Sequence, residues 1–412
     1  MTFVEISTET LNALYKSSDK IVHPPPPEGR VLNLTFMRRR LELDALRGLM
    51  LVWMTLTHLP TPISAYTYQP IGFVSSAEGF IFLSALFTGL IYLRTALRDG
   101  YSQMSRRLWA RMLRLYGYHA LLIGLAFLIL PRIAAGTNRP GLHNLLDFYF
   151  LVGPKRAALD AAFLVYRPPL LDILPMYVCF LGITPVALML ARRIGWRPIL
   201  ATSFAIWLIA QFGFRQIFYD WTTHAFGVRI PLNETGAFDM WAWQFMWLMG
   251  LWCGVRWAND DLPVGNWVKR FTVPAAVVAA AFLGVRYALN YGFELGAFEP
   301  AFDKWHFGVA RIINFAAVGV LLVRFQRFWK PIGIRPLVFM GQASLQVFCA
   351  HLPFCFLGLA IMGEKPMLAG WEQVALPVLT LATLVLVAWK VAEGKGKAKR
   401  RPIPQTLSPA ST

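Results

Sequence analysis

The sequence predicts an all-α, polytopic membrane protein, and three observations carry that reading. Of 412 residues, 56% are hydrophobic and 15% are charged, whereas a soluble domain carries about 25% charged residues. The mean hydropathy is +0.48. Apolar runs of membrane-spanning length recur from residue 44 to residue 392. Together these exclude a disordered chain, a coiled coil and a water-soluble enzyme.

A bilayer core of about 30 Å takes roughly 20 apolar residues per helix. Hydropathy, interrupted at Gly, Pro and charge, places about ten transmembrane helices at 43–62, 73–97, 108–130, 170–191, 197–214, 239–257, 271–290, 308–325, 336–361 and 372–391. Residues 1–42 are polar or mixed and read as a partly disordered cytosolic leader. Residues 43–391 read as a single transmembrane domain, because the connections are short and no internal repeat is visible. Residues 392–412, Lys-rich and then Pro/Ser-rich, read as a disordered cytosolic tail. Cys179, Cys253, Cys349 and Cys355 fall inside predicted spans without metal-type spacing, as small packing residues do.

The chain holds 40 Lys+Arg against 22 Asp+Glu, a net charge of +18. Placing both termini in the cytoplasm (N-in, C-in) gathers most of the positive residues on the inner side. The outer loops then hold acids such as Glu294, Glu299 and Asp303. Topology thus accounts for most of the charge, with membrane lipids as neighbours and no nucleic-acid partner.

Ionisable groups inside a span are costly and need a partner or a task. The first span carries Asp44, Arg47 and His58. Arg47 and His58 are separated by three helical turns plus about 20°, so they share a face some 16 Å apart along the axis. Asp44 can pair with Arg47 one turn away. Glu78 begins the second span on the outer side, at the expected depth of His58, where a carboxylate could orient an imidazole as general base. A structural His–Glu pair is the alternative. The topology gathers Asp172, Trp243, Gln244, Arg311, Ser344 and His351 into a polar chamber opening outward, as candidates for acceptor binding or oxyanion stabilisation. Ser84 and Ser344 could also act as covalent carriers, although serines are common at packed span interfaces. On the inner side, Arg107, Arg111 and Arg114 follow i, i+4, i+7 spacing and suit either phosphates or lipid headgroups.

These residues resemble the OpgC family, the membrane succinyltransferases of osmoregulated periplasmic glucans, and more distantly the acyltransferase-3 superfamily. The resemblance runs over nearly all of residues 38–391. It rests on Glu42-Leu43-Asp44-Ala45-Leu46-Arg47-Gly48 with His58-Leu59-Pro60, on Ala77-Glu78-Gly79-Phe80, and on Leu174-Pro175-Met176-Tyr177 with Trp243-Gln244. It continues through Asp303-Lys304-Trp305 with Arg311 and through Gly341-Gln342-Ala343-Ser344 to His351. The resemblance implies an O-acyltransferase of the bacterial inner (cytoplasmic) membrane. It would move an acyl group, succinyl by analogy, from a CoA thioester to a hydroxyl of a periplasmic glucan or another extracytoplasmic glycan. His58 and Glu78 would be catalytic, and Arg47, Arg107, Arg111 and Arg114 would serve the acyl-CoA. No metal and no permanently bound cofactor is implied. The rival expectation is a multi-pass transporter or flippase of a glycan or anionic solute; another is an enzyme acting on a lipid-linked sugar.

Overall fold

The computed structural model describes residues 41–135, 138–227, 230–259, 265–329 and 334–400, with side chains to residue 394. Almost all of the expected leader, and the tail beyond Arg400, lie outside the described residues. Residues from Leu41 onward form one unit. It is helical: among the described residues the strand-like pairing is an isolated bridge between Ile71 and Val74.

The principal helices are α1 (Leu41–His58), α2 (Ile63–Thr67), α3 (Ser76–Asp99), α4 (Tyr101–Ala134), α5 (Ile173–Ile194), α6 (Trp196–Ala210) and α7 (Phe214–Phe226). They continue as α8 (Met240–Ala258), α9 (Asn266–Ala288), α10 (Val309–Arg324), α11 (Arg335–Gln342), α12 (Ser344–Met362) and α13 (Glu372–Arg400). Each expected span overlaps one or two of these helices. By length and apolar character, however, six among the described residues can cross a bilayer: α3, α4, α5, α9 with its short extension, α12 and α13. A seventh is reached if α6 and α7, bent by 82°, make one span.

The expected count of ten is corrected for local reasons. Helix α1 carries Glu42, Asp44 and Arg47 within 18 residues. Helix α8 carries Gln244, Arg256 and a run of tryptophans, and α10 has 16 residues. The expected fifth span ends where Gly213 turns the chain at φ +82° into α7, a helix that hydropathy did not reveal. The expected ninth span breaks at Ala343 into α11 and α12. The last helix continues to Arg400, past the expected boundary at 391.

Small residues bring the central helices together. A Cβ on Gly48 would stand 2.0 Å from the Leu337 carbonyl oxygen, and one on Gly341 would stand 1.8 Å from the Asp44 oxygen. Helices α1 and α11 therefore pack backbone against backbone. Gly89, Gly250 and Gly254 allow the same close approach between α3 and α8, where the nearest carbonyls are those of Leu251, Phe82 and Leu86. Trp243, Trp247, Phe148, Phe180 and Tyr166 fill the core beside this pair. In α9, by contrast, 6% of the spanning window is buried. Its apolar surface faces outward, which a lipid environment explains and water does not.

Candidate active site

His58 ends α1 and keeps part of its surface accessible, while His351, in the middle of α12, is fully buried. The two rings stack, with centroids 5.5 Å apart and planes inclined by 20°. Nδ1 of His58 lies 3.3 Å from Nε2 of His351. Nδ1 of His351 is hydrogen-bonded to the backbone carbonyl of Phe348. A carbonyl can only accept, so that nitrogen carries the proton. Nε2 of neutral His351 is then an acceptor, and Nδ1 of His58 donates to it. This leaves Nε2 of His58 with its lone pair exposed, as a general base requires.

Glu78 does not join this relay. Both of its oxygens are committed: Oε1 accepts from Arg311, with Nε at 2.8 Å and Nη2 completing a buried bidentate ion pair. Oε2 accepts from the Ser75 N–H at 3.0 Å and from the Ser75 hydroxyl, closing a capping box at the start of α3. The expected Glu78–His58 pair is therefore corrected. Arg311 is likewise not open to an acceptor, because its charge is taken up by Glu78 and the residue is 1% exposed. His351, expected at the acceptor or oxyanion, is instead the partner of His58.

Two other chamber residues turn out to be braces. Trp243 is fully buried and donates its indole N–H to the Trp305 carbonyl at 3.1 Å. It packs on Phe307 and Phe238 rather than offering a face to a sugar. Gln244 accepts from the Ser203 hydroxyl at 2.6 Å and donates to the Ser203 carbonyl at 2.8 Å, clamping α8 to α6. Asp172 stands just before α5 and accepts from the Ala237 N–H at 3.1 Å.

Arg47 and Arg111 line one pocket with Phe80, Tyr177 and Phe348, about 440 Å³ counted to its open mouth. Ser344 also lines this pocket and so belongs with the arginines, not with the outer chamber. Phe348 joins the two halves of the site: it stacks on Phe80 at 6.1 Å and meets the His351 ring edge-on at 5.0 Å. Of the three-arginine face, only Arg111 reaches the pocket, where it donates to the Thr88 hydroxyl at 3.2 Å. Arg107 pairs with Asp99 at 2.9 Å and Arg114 is exposed. At about 100° per residue, Arg111 is rotated some 40–60° from both, enough to point inward while they point out. Ser84 is fully buried, and its hydroxyl is not aimed at the histidines by any hydrogen bond.

Sequence reasoning missed the segment Asp303–Gly308 as part of the site, although Asp303-Lys304-Trp305 belonged to the resemblance. Asp303 and His306 form an ion pair there. The Asp303 hydrogen bond raises the His306 pKa above its ordinary value. Burial pushes the Asp303 carboxyl up, but the His306 ring and the N–H groups of Trp305 and His306 outweigh it and hold it below the usual range.

The fold is that of a helical membrane protein, and its site pairs two histidines through their ring nitrogens. The family model described as OpgC protein matches residues 39–396, and the chain belongs to that family. No curated protein and no solved structure matches it.

Proposed function

We propose that the protein is an O-acyltransferase that transfers a succinyl group from succinyl-CoA to a hydroxyl of a periplasmic glucan, at the inner membrane of a bacterium. Family membership supports the class of reaction. The observation that supports the chemistry is the Phe348 carbonyl–His351–His58 chain, which fixes the His58 tautomer. Nε2 of His58 takes the proton of the acceptor hydroxyl as its oxygen attacks the thioester carbonyl. The tetrahedral adduct expels the CoA sulfur, which receives the proton from His58, so ester and CoA thiol are the products. Positive charge that develops on His58 is shared with His351. Arg47 and Arg111 bind the donor's phosphates from the inner pocket, the acyl end lying toward Phe348. With both termini inside, the donor would enter from the inner face and the acceptor from the outer one.

Deleting the gene and measuring ester substituents on periplasmic and surface glycans by mass spectrometry tests this reading. Loss of succinyl esters is expected. Unchanged esters with lost uptake of a solute would point to a transporter.

A further inference from the structure

The segment Asp303–Gly308 connects the outer ends of the helices, yet it is held more firmly than a connecting loop needs to be. The Trp305 carbonyl accepts from the Trp243 indole at 3.1 Å and from the Asp239 N–H at 3.0 Å. The His306 carbonyl accepts from the Gln211 amide at 2.8 Å, and the Phe307 carbonyl from the Trp207 indole at 2.9 Å. Phe307 itself sits at φ +50°, a costly conformation for a bulky side chain. Strain that surrounding contacts over-determine is characteristic of functional segments.

What this braced segment presents is Lys304. Its ammonium lies 4.9 Å from the centre of the Tyr68 ring and 4.8 Å from that of Trp305. The neighbouring charges are already matched, Arg311 by Glu78 and His306 by Asp303. Among the described residues Lys304 has no ion pair within 4.0 Å and no hydrogen bond. Asp172 and Glu78 act on it only from a distance, and burial lowers its pKa from the ordinary value. Two aromatic faces cover part of the cation without satisfying its donors. Tyr68, on which Lys304 packs, follows Thr67, whose carbonyl accepts from the Thr57 hydroxyl at 3.0 Å beside His58, so Lys304 stands near the end of α1 that carries the histidine.

We infer that Lys304 receives the distal carboxylate of the acyl group and selects a dicarboxylic acyl donor over a neutral one. This rests on the succinyl transfer proposed above and adds the residue that would recognise the acyl chain. A carboxylate supplies the missing counter-charge and acceptor together, in a site where water is partly excluded and the pairing is correspondingly stronger. A sugar hydroxyl would leave the charge unmatched.

The test compares succinyl-CoA with butyryl-CoA, of equal acyl length but lacking the carboxylate, as donors to the same glucan with the full-length protein in membranes. Lys304→Met is expected to lower the succinyl-to-butyryl ratio of kcat/KM by at least about tenfold, and Lys304→Arg to keep most of it. Lys304→Gln serves as the second variant if the methionine protein does not fold. Equal losses with both donors, or an unchanged ratio, would overturn the inference while leaving succinyl transfer intact. If the wild type esterifies glucan from neither donor, the proposed function fails and this inference with it.

Discussion

At the scale of single residues, Glu78 and His351 have different tasks. Glu78 is an anion that neutralises Arg311 and caps α3, whereas His351 is the group that orients His58. The two tasks separate experimentally. Glu78→Gln leaves a buried guanidinium without its counter-charge and should cost roughly 3–5 kcal/mol of stability. A lowered unfolding temperature in detergent checks it, and Glu78→Gln combined with Arg311→Met should recover much of the loss. His351→Phe should leave stability nearly intact but release the His58 tautomer, lowering kcat by on the order of 10²–10⁴-fold with little change in KM. The reverse pattern for either residue would contradict the assignment. The capping role of Glu78 was legible in the sequence, since Ser75-Ser76-Ala77-Glu78 is a capping-box pattern. The Arg311 pair was not, because hydropathy fixes the depth of a residue but not which way it faces around its helix. The same gap hid the His58–His351 contact between residues that were both placed in the outer half.

At the scale of elements, sequence patterning located the helices better than it located their breaks. Ala343 interrupts a segment that hydropathy reads as continuous, because a turn there changes backbone direction without changing composition. Glycines inside the spans carry a different message. Gly48 and Gly341 let α1 and α11 touch along their backbones, and His58 lies at the end of that α1. Gly341→Ala would drive a methyl into the Asp44 carbonyl, which is backbone and cannot rotate away. It should destabilise the protein by about 1–3 kcal/mol or more, read as a lowered unfolding temperature. Because α1 must shift to accommodate it, acyl transfer should fall further than the same alanine at exposed Gly117, where nothing lies within 4 Å. Equal effects at the two positions would mean that the close contact is not what sets α1.

At the scale of the whole molecule, the site has two ends joined by Phe348: an arginine-lined pocket and a histidine pair. The net charge of +18 was a guide to topology more than to partners, and its informative part shrank to Arg47 and Arg111 in the pocket and Lys304 on its braced segment. The cationic Arg107 and Arg114, read with Arg111 as one face, lie outside the pocket: Arg107 pairs with Asp99 and Arg114 is exposed. The central claim is that His58 moves the proton that lets a glucan hydroxyl take a succinyl group. The most direct test supplies isotope-labelled succinyl-CoA to inverted membrane vesicles loaded with glucan and counts label on the glucan by mass spectrometry. Wild-type protein should give labelled esters, and His58→Ala, present at equal amount and folded, should lower the rate by about 10²-fold or more. Labelling by His58→Ala at the wild-type rate would contradict the account.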